Sequence, residues 1–147
     1  MNTLEKPIEI LLIEDNLADA TLLRKTLAKQ NVSIHLEWVK DGEEAVNYLQ
    51  GTGDFSNRRI PDLIFLDLNL PKISGHEVLN FLRSNNQLTH IPVIVLSASS
   101  APQDILKSYN LYANAYVSKP VDFKEFQRVV NILSQFWFTV VKIPHSE

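Results

Sequence analysis

The chain has 147 residues, a usual length for one domain, and 14 Lys and Arg against 17 Asp and Glu give it a net charge of −3. It has no cysteine, which excludes disulfides and thiolate metal sites, and its basic residues are scattered rather than striped, which argues against nucleic acid as a direct partner. No apolar run approaches the ~18 residues that span a bilayer and no secretory signal opens the chain, so a cytoplasmic protein without membrane contact is expected.

Residues 8–14, IEILLIE, are apolar almost throughout, as in a strand covered on both faces. Asn16 is placed to cap the next segment, NLADATLLRKTLAKQ, whose Leu23 and Leu27 recur at the helical interval. SIHLEWV (33–39) alternates Ile34, Leu36 and Trp38 with His35 and Glu37, which predicts a half-exposed edge strand. DGEEAVNYLQ begins with Asp41 and has Glu44 three residues on, a capping-box variant at a helix start. Residues 51–61 carry Gly51, Gly53 and Pro61 and read as a loop.

DLIFLDL is the third strand, and GHEVLNFLRSNN puts Val78, Leu79 and Leu82 on one helical face. PVIVLSA is the fourth strand, followed by a short helix, PQDILKSYN, with Ile105, Leu106 and Tyr109 expected inward. ANAYVSKP is a fifth strand ended by Pro120. DFKEFQRVVNILSQFWF closes the pattern as a helix, with Asp122 and Glu125 spaced as a cap pair and Phe126, Val130, Leu133 and Trp137 on its inner face. Phe136, Trp137 and Phe138 cannot all face inward. The excess either forms a partner surface, such as that of a homodimer through the last helix and tail, or folds back over its own domain.

Five strands, each followed by a helix, predict an α/β fold: a doubly wound, five-stranded parallel sheet of order 2-1-3-4-5, as in flavodoxin-like folds. The whole of 1–147 reads as one domain, with 134–147 as an extension of the last helix and a tail, and no segment is left over for a DNA-binding domain.

In such a sheet the working crevice lies beyond the carboxyl ends of the strands. Strand one ends in Glu14 and Asp15, strand three in Asp67, strand four in Ser97 and strand five in Lys119. Two carboxylates about 4 Å apart repel by roughly 4 kcal/mol at an effective dielectric near 20, so grouping three requires a cation or a proton among them. An all-oxygen set suits Mg²⁺, which commonly binds carboxylates together with a phosphate. Lys119 offers a mobile positive charge and Ser97 a hydroxyl, so the set suits a transferred phosphoryl group with Asp67 as the nucleophile. The plainer alternative stays open at this point: strand-end Asp and Ser are often turn formers or helix caps, and Lys119 can be merely solvated.

From about Ile8 to Leu133 the chain resembles the receiver domain of two-component response regulators. The resemblance rests on IEDN after strand one, DLNLPKISG after strand three, SAS after strand four and YVSKP after strand five. It implies Mg²⁺-dependent transfer of phosphate from the phosphohistidine of a sensor histidine kinase to Asp67. Glu14, Asp15, Asp67 and the backbone carbonyl of Asn69 would hold the metal. It further implies Lys119 as the lysine that pairs with the phosphoryl group, followed by a cis bond to Pro120, with Ser97 as the switch hydroxyl. Tyr116 is implied as the switch aromatic, moving in from an exposed position. Such a protein is a phosphoacceptor in signalling that assists its own phosphorylation and dephosphorylation, rather than an enzyme acting on other substrates. Two residues depart from the family's usual choice, Glu14 where Asp is frequent and Ser97 where Thr is frequent; both keep the chemistry.

The long loop before strand three and the ending FWFTVVKIP resemble a narrower group, the small regulators that serve phytochromes, which implies a phytochrome-type kinase as partner. Three rivals fit less well. A phosphohydrolase with an aspartyl-phosphate intermediate places its motif after the first strand; a flavin carrier needs a phosphate loop where Glu14 and Asp15 stand. The third, a receiver-like module that is never phosphorylated, leaves the five strand-end residues without a purpose.

Overall fold

The computed structural model describes residues 6–144. All five expected strands form: β1 (Ile8–Ile13), β2 (Ile34–Val39), β3 (Leu63–Leu66), β4 (Val93–Ser97) and β5 (Ala115–Ser118). They pair in parallel in the order β2-β1-β3-β4-β5, the expected topology. The helices are α1 (Leu17–Ala28), α2 (Gly42–Gln50), α3 (Gly75–Arg83), α4 (Pro102–Asn110) and α5 (Phe123–Gln135).

The alternation of side chains along the central strands creates two cores. Leu11, Ile13, Ile64, Leu66, Val93 and Val95 point to one face, where Tyr48 and Leu49 of α2 and Val78, Leu79 and Leu82 of α3 cover them. Ile10, Leu12, Leu63, Phe65, Ile94 and Leu96 point to the other, where Leu23 and Leu27 of α1 and Phe126 and Val130 of α5 close over them. This two-sided burial is why β1, β3 and β4 are almost wholly apolar, with Glu9 near the amino end of β1 and Ser97 at the carboxyl end of β4 as the polar members.

The caps explain where the helices start. The Asn16 side chain accepts from the Asp19 N–H at 3.0 Å, and that of Asp41 accepts from the Glu44 N–H at 2.7 Å. Ser74 and Glu77 form a reciprocal capping box at the start of α3. The expected Asp122–Glu125 pair does not form: Asp122 makes no side-chain cap bond, and Glu125 instead accepts from Arg128 one turn on, at 2.8 and 2.7 Å. Identical spacing serves both arrangements, and a guanidinium is the stronger donor.

The second departure is α4. Leu106 and Tyr109, expected inward, are 62% and 47% exposed, and the buried residue of this helix is Ser108. Ser108 tolerates burial because its hydroxyl donates to the Asp104 carbonyl at 2.8 Å. Tyr109 lies over the open edge of the sheet, where its hydroxyl accepts from the Tyr116 N–H of β5 at 3.1 Å.

The loop 51–61 is ordered by capping. Gly51 ends α2 at φ +72°, and Arg58 returns to donate to the carbonyls of Tyr48 and Leu49 at 2.9 and 2.8 Å. Phe55 packs edge-on against Tyr48 with ring centres 5.3 Å apart. After α5 the chain makes one wider helical turn, Phe136–Val140, closed by the Val141 N–H donating to the Phe136 carbonyl at 3.0 Å. Trp137, Phe138, Val141 and Ile143 fold back on the second core. Ile132, Phe136 and Val140 stay 51%, 51% and 65% exposed.

Candidate functional site

The site is assembled at the ends of β1, β3, β4 and β5. The Glu14 backbone is held from both directions: its N–H donates to the Val39 carbonyl at 3.1 Å, and its carbonyl accepts from Trp38 Nε1 at 2.7 Å. One carboxylate oxygen of Glu14 accepts from the Asn16 N–H at 3.1 Å. These bonds fix the turn that carries Asp15. Asp67 follows β3, its N–H donating to the Ile13 carbonyl at 3.0 Å and its Oδ1 accepting from the Asn69 N–H at 3.4 Å.

Gly75 at the start of α3 presses against this strand end. A Cβ there would lie 2.4 Å from the Asp67 carbonyl oxygen and 2.5 Å from Leu68 Cα, so a side chain would displace the backbone that carries Asp67. Gly42 serves the same purpose at α2, where a Cβ would meet the Ile73 carbonyl oxygen.

Glu14 and Asp67 are buried, Asp15 is exposed, and one carboxylate oxygen from each of the three lies within 4.8 Å of the others. Facing them, Lys119 Nζ donates to Glu14 at 2.6 Å, Asp19 at 3.0 Å and Asp67 at 3.3 Å. Burial pulls the Lys119 ammonium toward neutrality, but its bond to Glu14 and the charges of Asp67 and Glu14 outweigh this and hold it above the usual lysine range. Glu14 moves the other way for a carboxylate: burial, then the charge of Asp67, push it up to about 8 against the pull of Lys119 and the Asn16 N–H. A buried carboxyl shifted this far by burial and a neighbouring carboxylate, in the crevice at the strand ends, marks a candidate functional site. The donor chemistry fits a hard divalent cation: carboxylate oxygens only, close together, partly open to water through Asp15.

Ser97 is fully buried at the end of β4; its carbonyl accepts from the Lys119 N–H at 2.7 Å and its hydroxyl oxygen accepts from the Ser99 N–H at 3.2 Å. Tyr116 is half-buried against the first core rather than exposed, and its hydroxyl donates to the Ser99 carbonyl at 2.8 Å. Asn69 is exposed and touches the group through its N–H. The Lys119–Pro120 bond is trans, which corrects the expected cis bond; no peptide bond among the described residues is cis. Trans is the favoured form even before proline, and in it Lys119 already reaches all three carboxylates.

Two contributors were not foreseen. Asp19, on the first turn of α1, is a third carboxylate on Lys119, and its only trace in the sequence is an acid four residues beyond Asp15. Trp38, read as an apolar member of an alternating strand, anchors Glu14 through its indole N–H, with Arg24 and Lys40 5.7 and 5.4 Å from its ring centre.

The model of the response regulator receiver domain matches residues 10–131. The response regulator Rcp1 of Synechocystis sp. is 38% identical over 138 residues, covering 94% of each chain. Among solved structures, the phosphorylated cyanobacterial phytochrome response regulator RcpA superposes with a TM-score of 0.92 at 40% identity, over 95% of this chain and all of that one. The Mn²⁺-bound form of Rcp1 gives 0.92 at 38%, over 95% and 100%.

Proposed function

This chain belongs to the response regulator receiver family, whose members are phosphoacceptors in signalling, and on that premise we propose that Asp67 is the residue that takes the phosphoryl group. The observation that carries this reading is the buried Asp67 carboxylate, set among Glu14, Asp15 and the Lys119 ammonium at the mouth of the sheet. Mg²⁺ held by Glu14, Asp15, Asp67 and the Asn69 carbonyl would neutralise this crowding and the charge of the incoming group. An oxygen of Asp67 forms the new bond to phosphorus as the bond to the donor's histidine nitrogen breaks, and the electron pair of that bond leaves with the imidazole. Lys119 transfers one hydrogen bond from Asp67 to a phosphoryl oxygen, and the same residues later orient the water that removes the group.

The signal leaves through Ser97. Its hydroxyl oxygen accepts from the Ser99 N–H and keeps its own proton to donate to a phosphoryl oxygen, so a shift of Ser97 toward that oxygen pulls on Ser99, the residue whose carbonyl holds the Tyr116 hydroxyl. Moving a two-state element from 1:99 to 99:1 takes about 5.5 kcal/mol. Two or three charge-assisted hydrogen bonds at roughly 1.5–3 kcal/mol each supply that. The surface so switched is α4, β5 and α5.

The donor is a sensor histidine kinase of phytochrome type, a reading supported by the likeness to RcpA, described as a phytochrome response regulator. Residues 134–144 act as an extension of the domain, the rest of the expected 134–147 segment lying outside the described residues, and the exposed Ile132, Phe136 and Val140 are the surface through which two copies pair. No helix among the described residues is long and apolar enough to cross a membrane.

The deciding experiment is intact-mass spectrometry after incubation with acetyl phosphate and Mg²⁺. Wild type gains the mass of one phosphoryl group, Asp67→Asn does not, and chelation abolishes the gain. Gain at another residue, or no gain from either acetyl phosphate or a phosphorylated kinase, would overturn the assignment.

A further inference from the structure

We infer that Asp19 is a positioning residue that keeps the Lys119 ammonium over Asp67 while the other rim carboxylates are engaged elsewhere; this rests on the phosphoacceptor reading above. Lys119 Nζ bonds three carboxylates, Glu14 at 2.6 Å, Asp19 at 3.0 Å and Asp67 at 3.3 Å. An ammonium has three donors, so none is spare. Glu14 and Asp67 belong to the cluster suited to a cation, and Asp19 does not. A cation draws on Glu14 and Asp67, and a phosphoryl group alters Asp67 again. Asp19 is the one partner that neither event removes.

The local structure suits this task. Asp19 lies on the first turn of α1, where the Asn16 side chain fixes its N–H at 3.0 Å. Its side chain is 22% exposed and that of Lys119 7%, so the pair is shielded from water. The two residues are 100 positions apart, and their bond ties α1 to the end of β5. The lysine stem is flexible. Without Asp19 the ammonium would settle on Glu14 and Asp67 and compete with the cation for the same oxygens, then lose its fixed orientation once phosphoryl transfer begins.

The test compares wild type, Asp19→Ala and Asp19→Asn in the full chain by two readouts. The first is the Lys119 side-chain ammonium signal in nitrogen-resolved NMR, recorded with Mg²⁺ and no phosphoryl donor. The second is the rate of phosphorylation by acetyl phosphate at saturating Mg²⁺. Asp19→Ala is expected to lose the sharp ammonium signal and to react about tenfold more slowly, the loss of one charge-assisted hydrogen bond, equivalent to about 1.4 kcal/mol. Asp19→Asn keeps an acceptor oxygen in place and is expected to restore the signal and most of the rate, with unchanged melting temperature in both variants.

An unchanged signal and rate in Asp19→Ala would overturn the inference. So would an Asp19→Asn variant as slow as the alanine form, which would leave only a long-range charge effect. If wild type accepts no phosphoryl group, the acceptor reading fails, and the NMR signal still decides whether Asp19 holds Lys119.

Discussion

The two ends of the sheet treat charge in opposite ways. At the amino end, Glu9 pairs with His35 at 2.7 Å and Arg59 at 3.2 Å, and the buried Asp62 accepts from the Glu9 N–H at 2.9 Å. Each carboxylate there has its partner within the protein. At the carboxyl end Glu14, Asp19 and Asp67 share the Lys119 ammonium, Asp15 lies beside Glu14 and Asp67, and burial followed by the charge of Asp67 pushes Glu14 up to about 8. Matched charge is structural, whereas unmatched buried charge is held in place by the rest of the fold and waits for a partner from solution.

The largest effect is expected from removing Asp67, the proposed phosphoacceptor. Asp67→Asn should abolish phosphorylation, and because it also relieves the repulsion with Glu14 it should raise the stability of the metal-free protein, on the order of 1 kcal/mol. Thermal melts in EDTA check this, and in the same melts Mg²⁺ should stabilise wild type more than the variant. A mutant that is less stable without metal would mean that the rim is not short of positive charge.

Acidity sharpens the contrast next. The carboxyl of Glu14 sits at about 8 in the folded protein against an ordinary 4.5, so the fold favours its protonated form. That contribution is complete below about pH 4.5 and is lost as pH rises toward 8, because the unfolded chain releases the proton first. The ammonium of Lys119 stays charged throughout this window and adds no slope. Metal-free stability should therefore fall between these limits, by up to a few kcal/mol, and Glu14→Gln should flatten the curve. Added Mg²⁺ should stabilise more at pH 8 than at pH 6, since it competes with one proton fewer. Denaturant unfolding at several pH values with and without Mg²⁺ measures all three.

Gly75 tests how tightly the backbone holds the site. A methyl group there meets the Asp67 carbonyl oxygen and Leu68 Cα well inside contact distance. Gly75→Ala should cost about 1–3 kcal/mol and slow phosphorylation by moving the end of β3. Normal stability together with normal kinetics would show that α3 can shift away without disturbing Asp67.

Much of this was legible in the sequence because buried parallel strands are written as largely apolar runs, and the polar residues that close each run mark the rim. That is how Glu14, Asp15, Asp67, Ser97 and Lys119 stand out. Asp19 and Trp38 did not, because their meaning lies in partners 100 and 24 positions away, and nothing local separates an acid on a first helical turn from an ordinary capping charge. The face of α4 was misread for a related reason. Its Tyr109 looks like a core residue by spacing, but an edge strand with open N–H groups offered its hydroxyl a better use. Of the two readings of the tail, folding back is the one seen for Trp137, Phe138, Val141 and Ile143, which pack on the second core, while Phe136 and Val140 remain exposed.

The smallest effect belongs to the amino end, and its smallness is what the comparison requires. Arg59 donates to Glu9 at 3.2 Å with its own side chain 61% exposed, and Glu9 keeps His35 when the guanidinium is removed. Exposed pairs of this kind contribute about 0–1 kcal/mol, and salt screens them further. Arg59→Ala should therefore shift stability by no more than about 1 kcal/mol and leave Mg²⁺ affinity and the phosphorylation rate at wild-type values. Denaturant unfolding and a Mg²⁺ titration check this together. A change in metal affinity would mean that the two ends communicate through β1, whose Glu9 and Glu14 sit at its opposite ends. In that case the amino-end pairs would belong to the switch rather than to the scaffold.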